Sequence, residues 1–117
     1  MLYLLETKLP ENKSVFFALT KIYGIGKSTA FSVCKKLGFS INLKTKDLTQ
    51  EQIEELLQFI NSSNLTLNND LKKLRSLNLE TLVSIKSYRG IRRVQGLPVR
   101  GQRTHTNAKS SRKNKRF

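Results

Sequence analysis

Residues 14–38 read SVFFALTKIYGIGKSTAFSVCKKLG, and their pattern predicts two helices joined by a short turn. Its first part carries apolar residues at the i, i+3, i+4, i+7 spacing of one helix face, namely Val15, Ala18, Leu19 and Ile22. The glycines of Tyr-Gly-Ile-Gly then allow a tight turn where a Cβ would clash. A second helix is expected over 27–37, ending at Gly38, a residue typical of helix C termini. The pattern predicts a helix-hairpin-helix.

The same stretch is similar to the end of a nucleotide-binding phosphate loop, G-x-x-x-x-G-K-[ST], at Gly26-Lys27-Ser28. That loop has a glycine five residues before Gly26, where this chain has Lys21. It also follows a buried strand rather than a helix. We therefore predict no hydrolysis of ATP or GTP. The free N–H groups of the second helix, together with Lys27, suit a nucleic-acid phosphate instead. A helix corner without a ligand is an equal alternative on this pattern alone.

The charge of the chain is strongly positive and unevenly distributed. The 117 residues include 22 Lys and Arg and 8 Asp and Glu, which gives a formal net charge of +14. Every acid lies at or before Glu80, whereas eleven of the bases lie between Lys86 and Phe117. Such a density requires a polyanionic partner. We predict a helical globular domain over 1–87 and a basic RNA-binding extension and tail over 88–117.

The sequence favours nucleic acid over a membrane as that partner. No apolar run approaches the ~20 residues of a transmembrane span, and the tail has few large apolar residues after Val99. The single Cys34 allows no disulfide, and neither Cys34 nor the single His105 has the companions of a metal or catalytic site. We predict no enzyme activity, no cofactor, no metal, no membrane contact and no small-molecule substrate.

The remaining segments predict further helices and no pair of strands. Residues 1–10 are expected to form a short extended segment, and a loop follows over 39–47. The pattern Thr49-x-x-Gln52 is a capping box, and it opens a third helix with apolar residues on one face, namely Ile53, Leu56, Leu57 and Ile60. A fourth helix is expected over 67–87, with an apolar stripe of Leu67, Leu71, Leu74, Leu82 and Ile85. The predicted fold class is all-α, with a small helical domain and a long extended basic C-terminal tail.

Residues 88–107 combine arginines with residues that bind sugars and bases. The run YRGIRRVQG, residues 88–96, predicts a short helix whose like charges repel one another unless phosphates intervene. Pro98 and Gly101 stop regular helix in the next stretch. There an Arg guanidinium can donate to two phosphate oxygens at once, while Gln, Thr and Asn can reach sugars and base edges. The final SSRKNKRF is a simple cationic segment, expected to be disordered until it is bound.

Two blocks of the sequence resemble one protein family. YGIGKS, residues 23–28, followed by SYRGIRRVQGLPVRGQRTHTNA, residues 87–108, is similar to the bacterial-type S-thirteen family of small-subunit ribosomal proteins. The second block is highly specific, and the spacing between the blocks also fits. The resemblance covers nearly the whole chain. It implies a helix-two-turns-helix domain with a basic tail, in a non-enzymatic protein of the small-subunit head.

The resemblance also implies partners: small-subunit rRNA, the peptidyl-site tRNA, neighbouring ribosomal proteins of the subunit head and large-subunit bridge partners. Together with the charge pattern, it implies a set of rRNA-binding residues: Gly24, Gly26, Lys27, Ser28, Tyr88, Arg89, Gly90, Arg92, Arg93, Arg100, Gly101, Gln102, Arg103, Thr104, Thr106 and Asn107. The composition becomes a simple Lys/Arg/Ser/Asn run after Ala108. The cations of that run are therefore expected near the tRNA: Lys109, Arg112, Lys113, Lys115 and Arg116.

The location and one alternative function also follow from the sequence. Thr-His-Thr-Asn at 104–107 looks like mitochondrial members of the family, and the many Asn, Lys, Leu and Ile residues suit an AT-rich organelle genome. The start, MLYLLETKLP, lacks the character of a transit peptide, so we expect an organelle-encoded protein of the mitochondrial matrix and its ribosome. A bacterial cytoplasmic or plastid origin stays open. The alternative function is a helix-hairpin-helix DNA-binding or repair protein.

Overall fold

The chain divides into two compact units in a computed structural model that describes residues 2–115. The units are Met1–Leu71 and Lys72–Phe117, so their border lies inside a helix. The border predicted between 87 and 88 follows the charge of the chain rather than its contacts, and it stays a prediction. The predicted tail residue Arg116 lies outside the described residues.

The first unit begins with a β-hairpin, which corrects the expectation of a single extended segment. Strand β1 (Leu2–Leu4) pairs antiparallel with β2 (Thr7–Leu9), with Leu2 opposite Leu9. The two residues of the turn, Leu5 and Glu6, have φ angles of 48° and 62°. Positive φ at both positions is the backbone of a type I′ turn, which usually contains Asn-Gly.

Two asparagines far along the chain hold this turn. The side-chain amide of Asn68 donates to the carbonyl oxygen of Leu5, and that of Asn69 donates to the Glu6 carboxylate at 3.1 Å. The backbone N–H of Asn68 also donates to the carbonyl oxygen of Tyr23 at 2.9 Å. The hairpin turn and the glycine turn are therefore tied to the same short segment of the first unit.

The predicted helix-turn-helix is present in the first unit. Helix α1 spans Val15–Leu19 and α2 spans Lys27–Lys36. Helix α1 is shorter than expected because the N–H of Ile22 donates three residues back, to Leu19, in a tighter turn. The C-terminal glycine of α2 is confirmed, since Gly38 has φ +69° and the next N–H reaches back to the Cys34 carbonyl at 2.9 Å.

The capping box that opens the third helix is also confirmed. After a 3₁₀ turn at Thr45–Asp47, helix α3 spans Gln50–Ser62. The Thr49 hydroxyl accepts from the Gln52 N–H at 3.4 Å, and the Gln52 side chain accepts from the Thr49 N–H at 3.1 Å. The helix continues through Asn61 and ends at Ser62.

The described hydrophobic core lies entirely within the first unit. Its buried residues come from the hairpin, the α1–α2 pair and one face of α3: Leu4, Leu9, Val15, Ala18, Leu19, Ile22, Ile25, Ala30, Val33, Cys34, Leu56 and Ile60. Each fully buried Leu, Ile or Val side chain stabilises the fold by about 1.5–3 kcal/mol. Cys34 is buried with them, as expected for a small core residue.

The second unit consists mainly of helices, and none of their described large apolar side chains is buried. Helix α4 spans Asn68–Ser84, α5 spans Tyr88–Gln95 and α6 spans Lys109–Lys113. No residue of α4 is buried: along its predicted apolar stripe Leu71 and Leu82 are half-buried, and Leu74 is 45% exposed. Helix α6 is a second correction, since its residues 110–113 belong to the segment expected to be disordered.

Candidate nucleic-acid interface

The turn between α1 and α2 requires its first glycine for packing. Gly24 has φ +109°, a conformation that side chains rarely adopt. A Cβ built on Gly24 would lie 2.9 Å from Leu67 Cδ2 and 3.1 Å from the Thr66 carbonyl oxygen. The segment before α4 therefore excludes any larger residue here. The rRNA contact expected of Gly24 stays a prediction, since this internal packing already explains the glycine.

The second glycine of the turn is different, because nothing in the first unit requires it. Gly26 is the N-cap of α2 with φ −94°, and a Cβ there would meet no atom within 4 Å. Lys27 and Ser28 follow as the first exposed residues of the helix, with no side chain capping the helix start. The backbone N–H groups at this end are open to an anion, which suits the predicted phosphate contact.

The predicted block at 88–93 forms a tight corner after α4. Ser87 is the N-cap of α5: its hydroxyl accepts from the Gly90 N–H at 3.1 Å and donates to the Leu82 carbonyl at 2.8 Å. Gly90 is buried, and a Cβ there would overlap that carbonyl, coming within 2.9 Å of Val83 N. The structure thus gives Gly90 a packing role that the sequence did not reveal.

The three arginines of α5 differ in burial and in bonding, which indicates two different roles. Arg92 is half-buried, its Nε donates to the Pro98 carbonyl at 3.2 Å, and its guanidinium lies 5.7 Å from the centre of the exposed Tyr88 ring. Arg89 and Arg93 are exposed and lie four residues apart, which places them on one face of the helix. Arg92 therefore orders the following segment, while Arg89 and Arg93 are available to a partner.

The segment that follows α5 leaves the helix through a glycine and then stays exposed. Gly96 has φ +71°, and the Leu97 N–H donates to the Arg92 carbonyl at 3.0 Å, the bond of a Schellman motif. The second predicted RNA-binding run contains no helix or strand, and its members are all exposed: Arg100, Gly101, Gln102, Arg103, Thr104, Thr106 and Asn107. The Thr106 hydroxyl donates to the His105 carbonyl at 2.7 Å, and the exposure of the whole run suits an RNA contact.

The described tail cations lie on and beside the short helix α6. Lys109, Arg112, Lys113 and Lys115 are all exposed. Ala108 enters the helix with φ +71°, and the Asn114 N–H closes it on the Ser110 carbonyl at 3.0 Å. The sequence has no acid after Glu80, so these cations have no acidic neighbour along the chain. The tRNA contact expected of them stays a prediction.

A cleft within the second unit was not predicted from the sequence. Its volume is about 630 Å³, and it lies between α4, α5, the segment after Gly96 and α6. The side of α4 that lines it carries Arg75, Leu79 and Leu82, which share one face at the i, i+4, i+7 spacing. The spacing of these three residues is visible in the sequence. The position of α6 on the other side of the cleft is not, because the sequence predicts disorder in that segment.

A candidate metal site and a membrane-spanning helix are both absent from the described residues. Within residues 2–115 no three or more His, Cys, Asp or Glu side chains are grouped so that they could hold a metal ion. In the same range no helix is both long and apolar enough to cross a membrane.

Comparison with known proteins identifies the family. The family model described as "Ribosomal protein S13/S18" matches residues 3–110. The chain is 47% identical to "Small ribosomal subunit protein uS13m" of Marchantia polymorpha, over 97% of this chain and 93% of that protein. It is 47% identical to the protein of the same name from Daucus carota, over 97% of both chains. The Schizosaccharomyces pombe protein of that name is 42% identical, over 97% of this chain and 74% of its own.

These matches place the chain in the class of ribosomal proteins. It belongs to the ribosomal protein S13/S18 family, which confirms the resemblance of the two sequence blocks. Members of this family are structural components rather than enzymes, so the prediction of no enzyme activity is confirmed and the family gives no support to the DNA-binding or repair alternative. The predicted mitochondrial location is confirmed by the mitochondrial names of these relatives.

Proposed function

We propose that this protein is a structural component of the small ribosomal subunit of mitochondria and that it binds the rRNA of that subunit. The observation that carries the proposal is the set of exposed cationic side chains in residues 88–115, a stretch that contains no Asp or Glu. A phosphate backbone neutralises such a surface and gains affinity by releasing counterions. The family to which the chain belongs supports the same assignment.

The rRNA contact has two parts in this proposal. The first is the open start of α2, where Gly26 lets a phosphate approach the backbone and Lys27 adds a charge. The second is the segment 100–107, whose arginines and amides suit phosphates, sugars and base edges. The hydrogen bond from Arg92 Nε to the Pro98 carbonyl oxygen orients the chain just before this segment.

Finer contacts belong to the same proposal. The cations at 109–115 extend beyond the mixed segment, and we assign them to the peptidyl-site tRNA. Exposed apolar side chains such as Leu77 and Ile85, at 57% and 65% exposure, suit contacts with neighbouring ribosomal proteins of the subunit head. A contact with the large subunit completes the set of proposed partners.

The test is the fate of the tagged protein in mitochondria. We expect it to co-sediment with small subunits in sucrose gradients at high salt, and cross-linking to recover small-subunit rRNA. Peptides cross-linked to rRNA should come from the start of α2 and from 100–107. Recovery of the protein only in free fractions, or cross-links to DNA, would contradict the proposal.

A further inference from the structure

We infer that the cleft of the second unit is a binding site for one unstacked nucleotide of an RNA chain. The inference rests on the proposed function, because it names the part of an RNA that this surface recognises. Its volume of about 630 Å³ falls within the ~300–1,000 Å³ of small-molecule sites. Continuous duplex RNA cannot enter a site of this size, whereas a single extruded nucleotide can.

The charge of the cleft indicates the phosphate. Arg75, Arg89, Arg93 and Lys115 line it, and none of its described lining residues is acidic. Arg89 and Arg93 repel one another across one turn of α5 unless an anion lies between them. Guanidinium groups bind phosphate oxygens in a bidentate manner, so an arginine pair on one helix face is a phosphate site.

The other lining residues indicate the base and the sugar. Leu79, Leu82, Leu97 and Val99 provide apolar surface, while Asn78, Ser111 and Asn114 provide hydrogen-bonding groups beside it. A nucleotide presents the same combination of an apolar ring face, polar edges and a charged group. A membrane surface or an acidic peptide offers the charge but not a flat apolar ring. The cleft therefore fits a nucleotide better than either of these.

Gly96 lies where the tail approaches the end of α5 closely, and it lines the cleft. A Cβ on Gly96 would lie 3.3 Å from Lys115 Cδ and 3.6 Å from Arg112 Cα, so this glycine allows the close approach of the tail. The Arg92 bond to the Pro98 carbonyl holds the segment that follows Gly96, which also lines the cleft. The close approach at Gly96 and the hydrogen bond of Arg92 thus both position residues that line the cleft.

The experiment compares two RNA duplexes of equal length, one fully paired and one with a single bulged 2-aminopurine nucleotide. The full chain should bind the bulged duplex more tightly, and the 2-aminopurine fluorescence should change on binding. A charge-assisted contact of this kind alters affinity about tenfold. Free adenosine monophosphate is measured in parallel, and we expect it to compete only weakly.

Matched variants locate the effect. Arg93→Gln should remove most of the preference for the bulge, whereas Arg100→Gln, an equal loss of charge outside the cleft, should weaken both duplexes alike. Val99→Trp fills the cleft without changing the charge and should also remove the preference. Circular dichroism checks that each variant is folded.

The outcomes separate this inference from the proposed function. Equal binding of both duplexes by the wild type overturns the nucleotide site but leaves rRNA binding intact. The same holds if Arg100→Gln removes the preference as strongly as Arg93→Gln, or if Val99→Trp retains it. Tight binding of free nucleotide without a preference for the bulge assigns the cleft to free nucleotides instead. Failure to bind either RNA overturns both proposals.

Discussion

Gly90 lies so close to the carbonyl of Leu82 that no larger residue fits between α5 and the end of α4. The contact joins the first block of the basic extension to the helix before it. Ser87 reinforces it, since its hydroxyl bonds both to Leu82 and to the Gly90 N–H. The arginines on either side of Gly90 are therefore positioned by packing in the protein itself.

The first prediction is that Gly90→Ala destabilises the protein. Alanine in place of glycine inside a helix normally stabilises by about 1 kcal/mol. Here the added Cβ overlaps the Leu82 carbonyl, and overpacking of this kind costs about 1–3 kcal/mol. The free energy of unfolding, from urea titration followed by circular dichroism, should fall. Val94→Ala on the same helix should change it by less than about 0.5 kcal/mol; a gain in stability for Gly90→Ala would contradict the packing role.

The two glycines of the α1–α2 turn provide a second, paired prediction. Gly24→Ala should destabilise the first unit by about 1–3 kcal/mol, because φ is +109° and Leu67 blocks the Cβ. Gly26→Ala should leave the free energy of unfolding nearly unchanged, because its φ is −94° and its surroundings are open. Its effect should appear as weaker binding of rRNA, measured by filter binding. Equal losses of stability in both variants would refute this division of roles.

Much of the first unit is predictable from the sequence because its signals are local. The capping box of Thr49 and Gln52 and the glycine at position 38 depend on residues within five positions of one another. The hairpin is not predictable in this way. Its turn at Leu5-Glu6 lacks the usual glycine, and the side chain of Asn68, 63 positions away, helps to hold it.

The candidate site is likewise predictable from the sequence only in part. The positive charge of 88–116 is readable from composition, and so is its preference for a polyanion. The separation of Arg92 from Arg89 and Arg93 is not, because it depends on where the Pro98 carbonyl lies after the chain has turned at Gly96. Sequence patterns identify the residues that bear charge, and tertiary contacts decide which of them are left for a partner.

A third prediction concerns the thiol of Cys34. Burial raises the pKa of this thiol above its ordinary value. The native protein should therefore react slowly with a thiol reagent at pH 8, and the urea-unfolded protein rapidly. Because the pKa is higher in the folded state, the stabilisation is complete below the unfolded pKa of about 8.5 and is lost as pH rises above it. Cys34→Ala should show a smaller loss of stability between pH 7.5 and 9.5.

A fourth prediction concerns the salt dependence of RNA binding. Changing Lys109, Arg112, Lys113, Lys115 and Arg116 to glutamine in the full chain removes up to five phosphate contacts. The slope of log affinity against log salt should then become less steep by up to about 3.5–4.5, at about 0.7–0.9 per phosphate. The control is an equal change of exposed lysines in the first unit: Lys8, Lys13, Lys35, Lys44 and Lys46. A larger effect of the control set would place the RNA surface elsewhere.

The fifth prediction separates two zones of the extension. Arg100 and Arg103 lie among exposed hydrogen-bonding residues, so they suit a specific rRNA site, whereas 109–117 is a run that acts through charge. Changing both arginines to alanine should reduce incorporation of the protein into small subunits, measured in sucrose gradients. Deleting 109–117 should leave subunits assembled but lower their affinity for peptidyl-site tRNA. Lys113 and Lys115 changed together to alanine, an equal loss of charge, should assemble normally. Assembly that fails on the deletion but survives loss of the two arginines would reverse the zones, because rRNA would then be bound by the terminal run.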